Sequence, residues 1–394
     1  LKHHEGFVNT LCPACGGKAR RETDTMDTFV CSSWYYLRYP SANLDTAPFD
    51  RALVEKWCPV DFYTGGAEHA VMHLLYARFW TKALCDMGYL DFGEPFQCLR
   101  NQGMMLAYTP GRPIGKDEEG DEEAPLENWK VLRPEERQTI PEDKWVWRWV
   151  KMSKSMGNVI TPDEIAEKYG ADALRVYELF VAPFEETVQW SDEGIRGSAR
   201  FLGRVWRLVD QFAEGFDSGG WREQVGEAQG KDKALRAMTH QTITKVTEDI
   251  ENFRFNTAVA ALMEWVNAMY EVANSLGPGK RSAALDEAIE HLIQLLAPAA
   301  PHIADELWEA IGKQGFLYRH AWPKADEAIA KEETVTLVVQ INGKVRDRLE
   351  VEADLADDKL KEIALNSDKI KEQLGDKAPK KVIVVRGKLV NIVA

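Results

Sequence analysis

The chain has 394 residues and a mass of 44.6 kDa, enough for two or three domains. It is 45% hydrophobic and 28% charged, with a mean hydropathy of −0.37, as expected of a soluble globular protein. No apolar run approaches the roughly 18 to 20 residues of a membrane-spanning helix, and 63 acidic against 49 basic residues (net charge −14) argue against coating of nucleic acid by bulk charge, so any polynucleotide contact would have to lie on local basic patches.

The six cysteines are scattered, which argues against a disulfide framework and for a reducing, cytoplasmic setting. The opening Leu-Lys-His-His-Glu-Gly has neither an initiator Met nor a signal-peptide pattern, so a front-end truncation is expected. Cys12-Pro-Ala-Cys15 has the spacing of a zinc half-site, and with no second such pair the knuckle is either half of a larger site or metal-free. Cys31, Cys58, Cys85 and Cys98 stand in apolar contexts as expected core thiols.

Residues 1–105 mix short apolar runs with helical stretches, as α/β segments do. A helix from about Asp27 would put Phe29, Ser32 and Tyr35 on one face, a small hydroxyl between aromatic walls. Such a face suits a compact apolar side chain, or it is an ordinary buried aromatic stripe. Further on, the apolar segment ending at Gly65-Gly66 runs straight into a predicted helix. Glycines there admit a ligand to the free N–H groups of the helix start. Glu68 and His69 fall in its first turn and His73 one turn on. The histidine spacing also fits a metal site, or core histidines bonded to backbone.

Gly111–Asp143 is Pro-rich and acidic and reads as an exposed insertion. Trp145, Trp147 and Trp149 alternate along a strand that feeds Lys151-Met-Ser-Lys-Ser155, followed by Gly157 and Asn158. Two lysines on a small-residue loop suit the charge stabilisation that phosphoryl and nucleotidyl transfer demand. A helix should follow, with Thr161 as N-cap, Pro162 first and Glu164 closing a capping box. From Gly194 to about Gly312 the periodicity is helical, broken by glycine- and proline-rich joints into an antiparallel bundle. Arg196, Arg200, Arg204 and Arg207 form a stripe that either meets an RNA backbone or is a solvated face paired with acids. The tail predicts a ββαββ module with a hairpin turn at Asn342-Gly343 and a basic last stretch, Lys380, Lys381, Arg386 and Lys388.

Taken in order, several of these motifs resemble those of the leucyl-tRNA synthetases of bacterial type, which are class I aminoacyl-tRNA synthetases. They are Cys-Pro-x-Cys-Gly, the stretch Glu22-Thr-Asp-Thr-Met-Asp-Thr-Phe29 with Ser32-Ser-Trp-Tyr-Tyr36, Gly-Gly-x-Glu-His-x-x-x-His and Lys-Met-Ser-Lys-Ser. The likeness continues through Arg200-Phe-Leu, Pro301-His-Ile303, Val339-Gln-Ile-Asn-Gly-Lys-Val-Arg346 and Gly387–Asn391, and is weakest over 107–148. The fold it implies is α/β plus all-α plus small α+β. Residues 1–106 correspond to the second half of a Rossmann-type catalytic domain, 107–148 to an insertion and 149–193 to the signature-loop and stem-contact region. Residues 194–325 correspond to a helical anticodon-binding domain and 334–394 to a C-terminal tRNA-binding domain.

Residue by residue, the resemblance makes Lys154 the lysine on the ATP phosphates, assisted by Lys151. It gives adenosine to Gly65, Gly66, Glu68 and His69, and the leucine side chain to Phe29, Ser32, Tyr35 and His73. Arg196, Arg200, Arg204, Lys344 and Arg346 are the implied tRNA contacts. Leucine, ATP with Mg²⁺ and tRNA(Leu) are the implied ligands, with zinc at Cys12 and Cys15 open, and a monomer is expected of the complete enzyme. The family's His-x-Gly-His turn is absent and Met156 stands where a lysine is frequent. The turn and the editing domain belong to the part of the family's chain that precedes this region, so the chain is expected to form no leucyl-adenylate by itself. Two other classes stay open, a non-catalytic tRNA-binding subunit and a zinc-dependent hydrolase using His69 and His73.

Overall fold

The computed structural model describes all residues except 27–28, 114–128, 218–219, 278–279, 332–333, 353–354, 375–378, 380, 386–388 and 394. Residues 114–128 of the expected insertion, and Lys380, Arg386 and Lys388 of the expected basic stretch, lie outside the described residues. Among the described residues no helix is long and apolar enough to cross a membrane. The chain divides into two units, Leu1–Ile160 with Ala182–Trp190, and Thr161–Val181 with Ser191–Ala394. The stretch 149–193, expected as one region, is therefore shared between them.

In the first unit, β1 (Asn9–Leu11) and β2 (Lys18–Arg20) pair antiparallel around the cysteine knuckle. Two short helices follow, α1 (Phe29–Ser32) and α2 (Tyr35–Arg38), then α3 (Arg51–Trp57), capped by the Asp50 carboxylate on the N–H groups of Ala52 and Leu53. Strand β3 (Val60–Gly66), helix α4 (His73–Asp86) and strand β4 (Phe96–Gln102) form a βαβ crossover with the strands parallel, Tyr63 opposite Leu99 and Gly65 opposite Asn101. Leu37, Val54, Ala77 and Leu90 are its innermost side chains. A second sheet has β5 (Met105–Pro113) at its centre, flanked by β6 (Trp129–Val131) and β7 (Val146–Lys151). Trp147 and Trp149 share one face of β7, as their alternation requires, and both stack beside Tyr108.

In the second unit, α5 (Pro162–Tyr169) starts at Thr161 with Pro162 first, but the Thr161 side chain makes no capping bond, so the expected box does not close. The second helix, α6 (Ala171–Phe180), begins immediately after Gly170, whose φ of 90° only glycine adopts without strain. The bundle proper comprises α7 (Asp192–Ala213), α8 (Lys231–Glu251), α9 (Phe255–Leu276), α10 (Ala283–Leu296) and α11 (Pro301–Ala310). Helix α7 buries Ile195, Phe201, Leu202, Val205, Leu208, Val209 and Phe212, spaced for one apolar stripe. The bundle is followed by β8 (Thr334–Ile341), β9 (Lys344–Glu352), α12 (Asp357–Asn366), α13 (Asp368–Leu374), β10 (Lys381–Val385) and β11 (Leu389–Val393), with strand order β9-β8-β11-β10. Asn342 and Gly343 both have positive φ, 51° and 80°, as a two-residue hairpin turn matched to strand twist demands.

Candidate functional site

Strand β3 ends in Gly65-Gly66, and a 3₁₀ turn, Ala67–Val71, follows at once. The expected α-helix does not begin there. Met72, at φ −122° and ψ −99°, interrupts the chain, and α4 starts only at His73. His69 and His73 therefore do not share one α-helical face; their rings meet edge to face at 6.3 Å. The tight turn also folds the Glu68 carboxylate back over Gly66, where a Cβ would lie 2.4 Å from it. A side chain at 66 would therefore displace the Glu68 carboxylate from this position.

A cavity of about 340 Å³ opens beside this corner. Helix α1 lends it Phe29 and Ser32, α2 lends Tyr35, β3 lends Gly65 and Gly66, and His69 and His73 complete the set. All the residues singled out for leucine, and three of the four for adenosine, line one space. Tyr63, Thr64 and Leu74, chain neighbours of the diglycine and of His73, line it too, as do Leu99 and Asn101, which nothing local in the sequence marks. Leu99 and Asn101 arrive through the parallel pairing of β4 with β3, a register set by the crossover.

The polar groups of the cavity fall into two sets. Tyr35 Oη and Tyr63 Oη are 2.8 Å apart, and Tyr63 Oη is 2.6 Å from His73 Nε2. Burial, then the neighbouring His69, holds the His73 imidazole below its ordinary pKa, so the ring is neutral. Burial, then the Tyr35 hydroxyl, pushes the Tyr63 phenol up, so it keeps its proton. The other set has no partner among the described residues: His69 Nδ1, His73 Nδ1 and Asn101 Oδ1 are closed off from solvent without a hydrogen bond there. Each such group costs about 1–3 kcal/mol unless a ligand or water meets it.

At the end of β7, Lys151 Nζ donates to Glu68 Oε1 at 2.5 Å, joining the signature loop to the glycine corner. That bond holds the Glu68 carboxyl below the usual carboxylate range. Residues Lys154–Met156 form a 3₁₀ turn ended by Gly157 at φ 64°. Asn158 staples the loop, its Oδ1 accepting from Ser153 N–H and its Nδ2 donating to Thr109 Oγ1 and the Lys151 carbonyl. Lys154 is exposed, has no ion pair among the described residues and does not line the cavity.

Elsewhere the sequence expectations divide. Cys12 and Cys15 sit in a knuckle closed by Cys12 N–H to Gly17 O and Gly16 N–H to Cys12 O, and the N–H groups of Cys15 and Ala14 lower the Cys12 thiol pKa. Among the described residues no group of three His, Cys, Asp or Glu side chains is placed to hold a metal, so the half-site gains no further ligand there. His73 Nε2 is already committed to Tyr63, which weighs against metal at the histidine pair. Cys58 is buried, but Cys31 is exposed and is no core thiol, because the one-turn helix α1 leaves that side uncovered. Arg196, Arg200 and Arg207 are exposed on α7 with no ion pair among the described residues, so the face paired with acids is not found. Arg204 departs from the stripe: its Nη2 donates to Asn267 Oδ1 at 2.8 Å and its guanidinium lies 5.0 Å from the Tyr270 ring. Lys344 and Arg346 are exposed at the hairpin of the last sheet.

Residues 149–191 match the family of class I tRNA synthetases (I, L, M and V), and residues 232–363 match the anticodon-binding domain of tRNA ligase. The chain belongs to the class I tRNA synthetases.

Within that class its relatives are specific. A leucine–tRNA ligase of Dehalococcoides mccartyi is 46% identical over 398 residues, covering 100% of this chain and 42% of the relative. One from Gloeobacter violaceus is 44% identical over 389 residues, covering 99% of this chain and 44% of its own length. The LeuRS of Agrobacterium radiobacter K84, solved as a ternary complex with tRNA and LeuAMS, superimposes with a TM-score of 0.68 at 34% identity, covering 100% of this chain and 46% of that one. The chain is a member of the leucine–tRNA ligase family, and it spans less than half the length of these relatives.

Proposed function

We propose that this chain contributes the leucine pocket, part of the ATP site and tRNA-binding surfaces to the ATP-dependent ligation of leucine to tRNA(Leu). The observation that carries this reading is the gathering of Phe29, Ser32, Tyr35 and His73 with Gly65-Gly66 around one cavity, beside the Lys151–Glu68 bond. Leucine's branched side chain seats between Phe29, Tyr35 and His73, with Ser32 small enough to admit it. Adenosine lies along Gly65 and Gly66, with Glu68 and His69 at its edge. The unpartnered His69 Nδ1 and Asn101 Oδ1 fit a polar nucleoside better than an apolar filler.

In this reading the leucine carboxylate attacks the α-phosphate of ATP, pyrophosphate leaves, and the 3′-terminal ribose of tRNA then takes the leucyl group. Lys154 stabilises the charge that builds on the phosphates, and Lys151 assists after exchanging Glu68 for a phosphate oxygen. Loss of one such preorganised donor costs about 10²- to 10³-fold in rate. Mg²⁺ accompanies the polyphosphate. The chain holds no His-x-Gly-His turn, so ATP–pyrophosphate exchange is expected only with a polypeptide that supplies it. Arg196, Arg200, Arg207, Lys344 and Arg346 take the tRNA backbone. A cytoplasmic setting suits this reaction, and zinc is given no part in it.

Calorimetric titration of the chain with leucyl-sulfamoyl-adenosine tests the pocket. Binding that leucine and ATP each compete away, and that Phe29→Ala weakens, is the expected result. No binding, or binding indifferent to leucine, refutes it.

A further inference from the structure

Trp221, Trp265 and Trp308 are buried in the helical bundle. Trp206 is not. It stands on α7 at 41% exposure, with no hydrogen bond and no ring contact among the described residues. One exposed apolar side chain is ordinary, so its neighbours on the helix decide the matter. Arg196, Arg200, Gly203 and Arg207 follow one another at spacings of four, three and four, in a line that Trp206 borders. Gly203 leaves the middle of that line open: beyond the helix itself, a Cβ there would meet only Arg207 Nη1, at 3.4 Å. Arg200 Nη2 lies 4.0 Å from the Cβ position of Gly197 in the same way, so both guanidinium groups lean back along the helix over a glycine. Arg204 is drawn off to Asn267 and Tyr270. The three other arginines are exposed and have no ion pair among the described residues, and the exposed Asp210 lies one turn beyond Trp206 toward the C-terminus.

We propose that Trp206 is a stacking platform for one unpaired base of an RNA ligand, with the adjoining phosphates on Arg200 and Arg207. This rests on the reading of the α7 arginines as an RNA contact. Unpaired cations alone fit any polyanion, and an indole alone fits any apolar surface. A polynucleotide with a free base brings both, a negative charge at each phosphate and a planar π-face at each base. Paired RNA keeps its base faces inside the helix stack, and an acidic peptide supplies the charge without the planes. The platform therefore adds what the arginines cannot give. Backbone contacts hold paired and unpaired RNA alike, whereas an exposed indole favours RNA in which a base is free. Gly203 leaves room on the N-terminal side of the ring, and Asp210 repels phosphate from the other side.

The experiment uses the full chain and two probes of about ten nucleotides per strand, an oligoadenylate with unpaired bases and a duplex with paired ones. Fluorescence anisotropy gives the affinity for each over a range of salt. Trp206→Ala should weaken oligoadenylate binding about 5- to 100-fold with the salt slope unchanged, and duplex binding by less than about twofold. Trp206→Leu, which keeps apolar bulk without a π-face, should match the alanine variant, and Trp206→Phe should retain most of the affinity. Equal losses on the two probes, no loss on oligoadenylate, or a leucine variant as good as wild type overturns the proposal. Self-association of the chain that Trp206→Ala abolishes, with oligoadenylate binding unaltered, overturns it too and gives the indole to a second copy. The arginine reading fails separately. Replacing Arg196, Arg200 and Arg207 together by alanine should lower the oligoadenylate salt slope by about 2, and an unaltered slope removes both that contact and the platform resting on it.

Discussion

Replacing Asn158 with alanine tests whether the signature loop is held where the lysines need it. The side chain makes three bonds: Oδ1 accepts from Ser153 N–H at 2.8 Å, and Nδ2 donates to Thr109 Oγ1 at 3.0 Å and to the Lys151 carbonyl at 3.2 Å. Thr109 is almost wholly buried and its own hydroxyl donates to Ala107 O, so the lone pair facing Asn158 has no obvious substitute. At about 1 kcal/mol per bond the upper limit is about 3 kcal/mol. Lys151 is exposed and Ser153 half-buried, so water recovers part, leaving about 2 kcal/mol. That is about a 30-fold rise in the open population of the loop. Hydrogen exchange followed by mass spectrometry over residues 151–158 should accelerate by about that factor, while β7 keeps its protection. Asn158→Asp keeps the acceptor for Ser153 and loses the donors, so it should fall between. Exchange within about twofold of wild type in Asn158→Ala, or acceleration spread evenly over β5 and β7, would refute the reasoning.

Asp249 has no exposed side-chain surface and accepts from Lys245 Nζ at 2.5 Å, Arg254 Nε at 2.8 Å and Thr257 Oγ1 at 2.7 Å. Burial pulls its pKa up, but these donors outweigh burial and hold the carboxyl below its ordinary value. A lowered folded pKa means stability that is complete above the unfolded value of about 3.9 and lost as pH falls through the folded one. Asp249→Ala should cost about 2–3 kcal/mol at neutral pH, since the half-exposed Lys245 and Arg254 rehydrate, and lower Tm by about 5–10 °C. The gap from wild type should close in acid; a gap constant with pH would count against the ion pairs as its source. Replacing Arg196, Arg200 and Arg207 together by alanine should reduce the slope of log K for tRNA against log salt by about 2–3, and an unaltered slope would remove α7 from the RNA footprint. Gly343→Val places a branched residue at φ 80° and should destabilise the last sheet by about 1–2 kcal/mol in denaturant melts, whereas a neutral result would mean the turn has another accessible form.

The parts legible in the sequence are those decided by neighbours along the chain. Asn342-Gly343 demanded a two-residue turn, and both positive φ angles are there. The diglycine corner, the strand leading into Lys151 and the apolar stripe of α7 follow from local period and backbone freedom. The parts that were not legible depend on distant partners. Asn101 and Leu99 reach the cavity only because β4 lies parallel to β3 across the α4 crossover. Met72 ends the 3₁₀ turn before α4, and nothing in Glu68–His73 forbids the continuous helix that periodicity favours. Arg204 has the spacing of its neighbours, but α9 presents Asn267 and Tyr270 at that point and draws it inward.

Arg204 also shows how the basic residues of the second unit divide. One group is spent on buried acids: Arg222 and Lys313 on Glu290, Arg236 on Glu287, Lys245 and Arg254 on Asp249, Arg281 on Asp286, and Lys369 on Asp347. Taking a base from one of these leaves a desolvated carboxylate with one donor fewer, a cost borne by folding. The other group, Arg196, Arg200, Arg207, Lys344 and Arg346, is exposed and has no ion pair among the described residues, so removing a member costs the fold little. Net charge cannot distinguish the two groups, because a base neutralised in the interior counts the same as one facing solvent. An acidic chain can therefore bind a polyanion wherever its unspent bases cluster. The two groups should separate cleanly in experiment, substitutions in the first moving Tm with the salt slope fixed, and substitutions in the second moving the salt slope with Tm fixed.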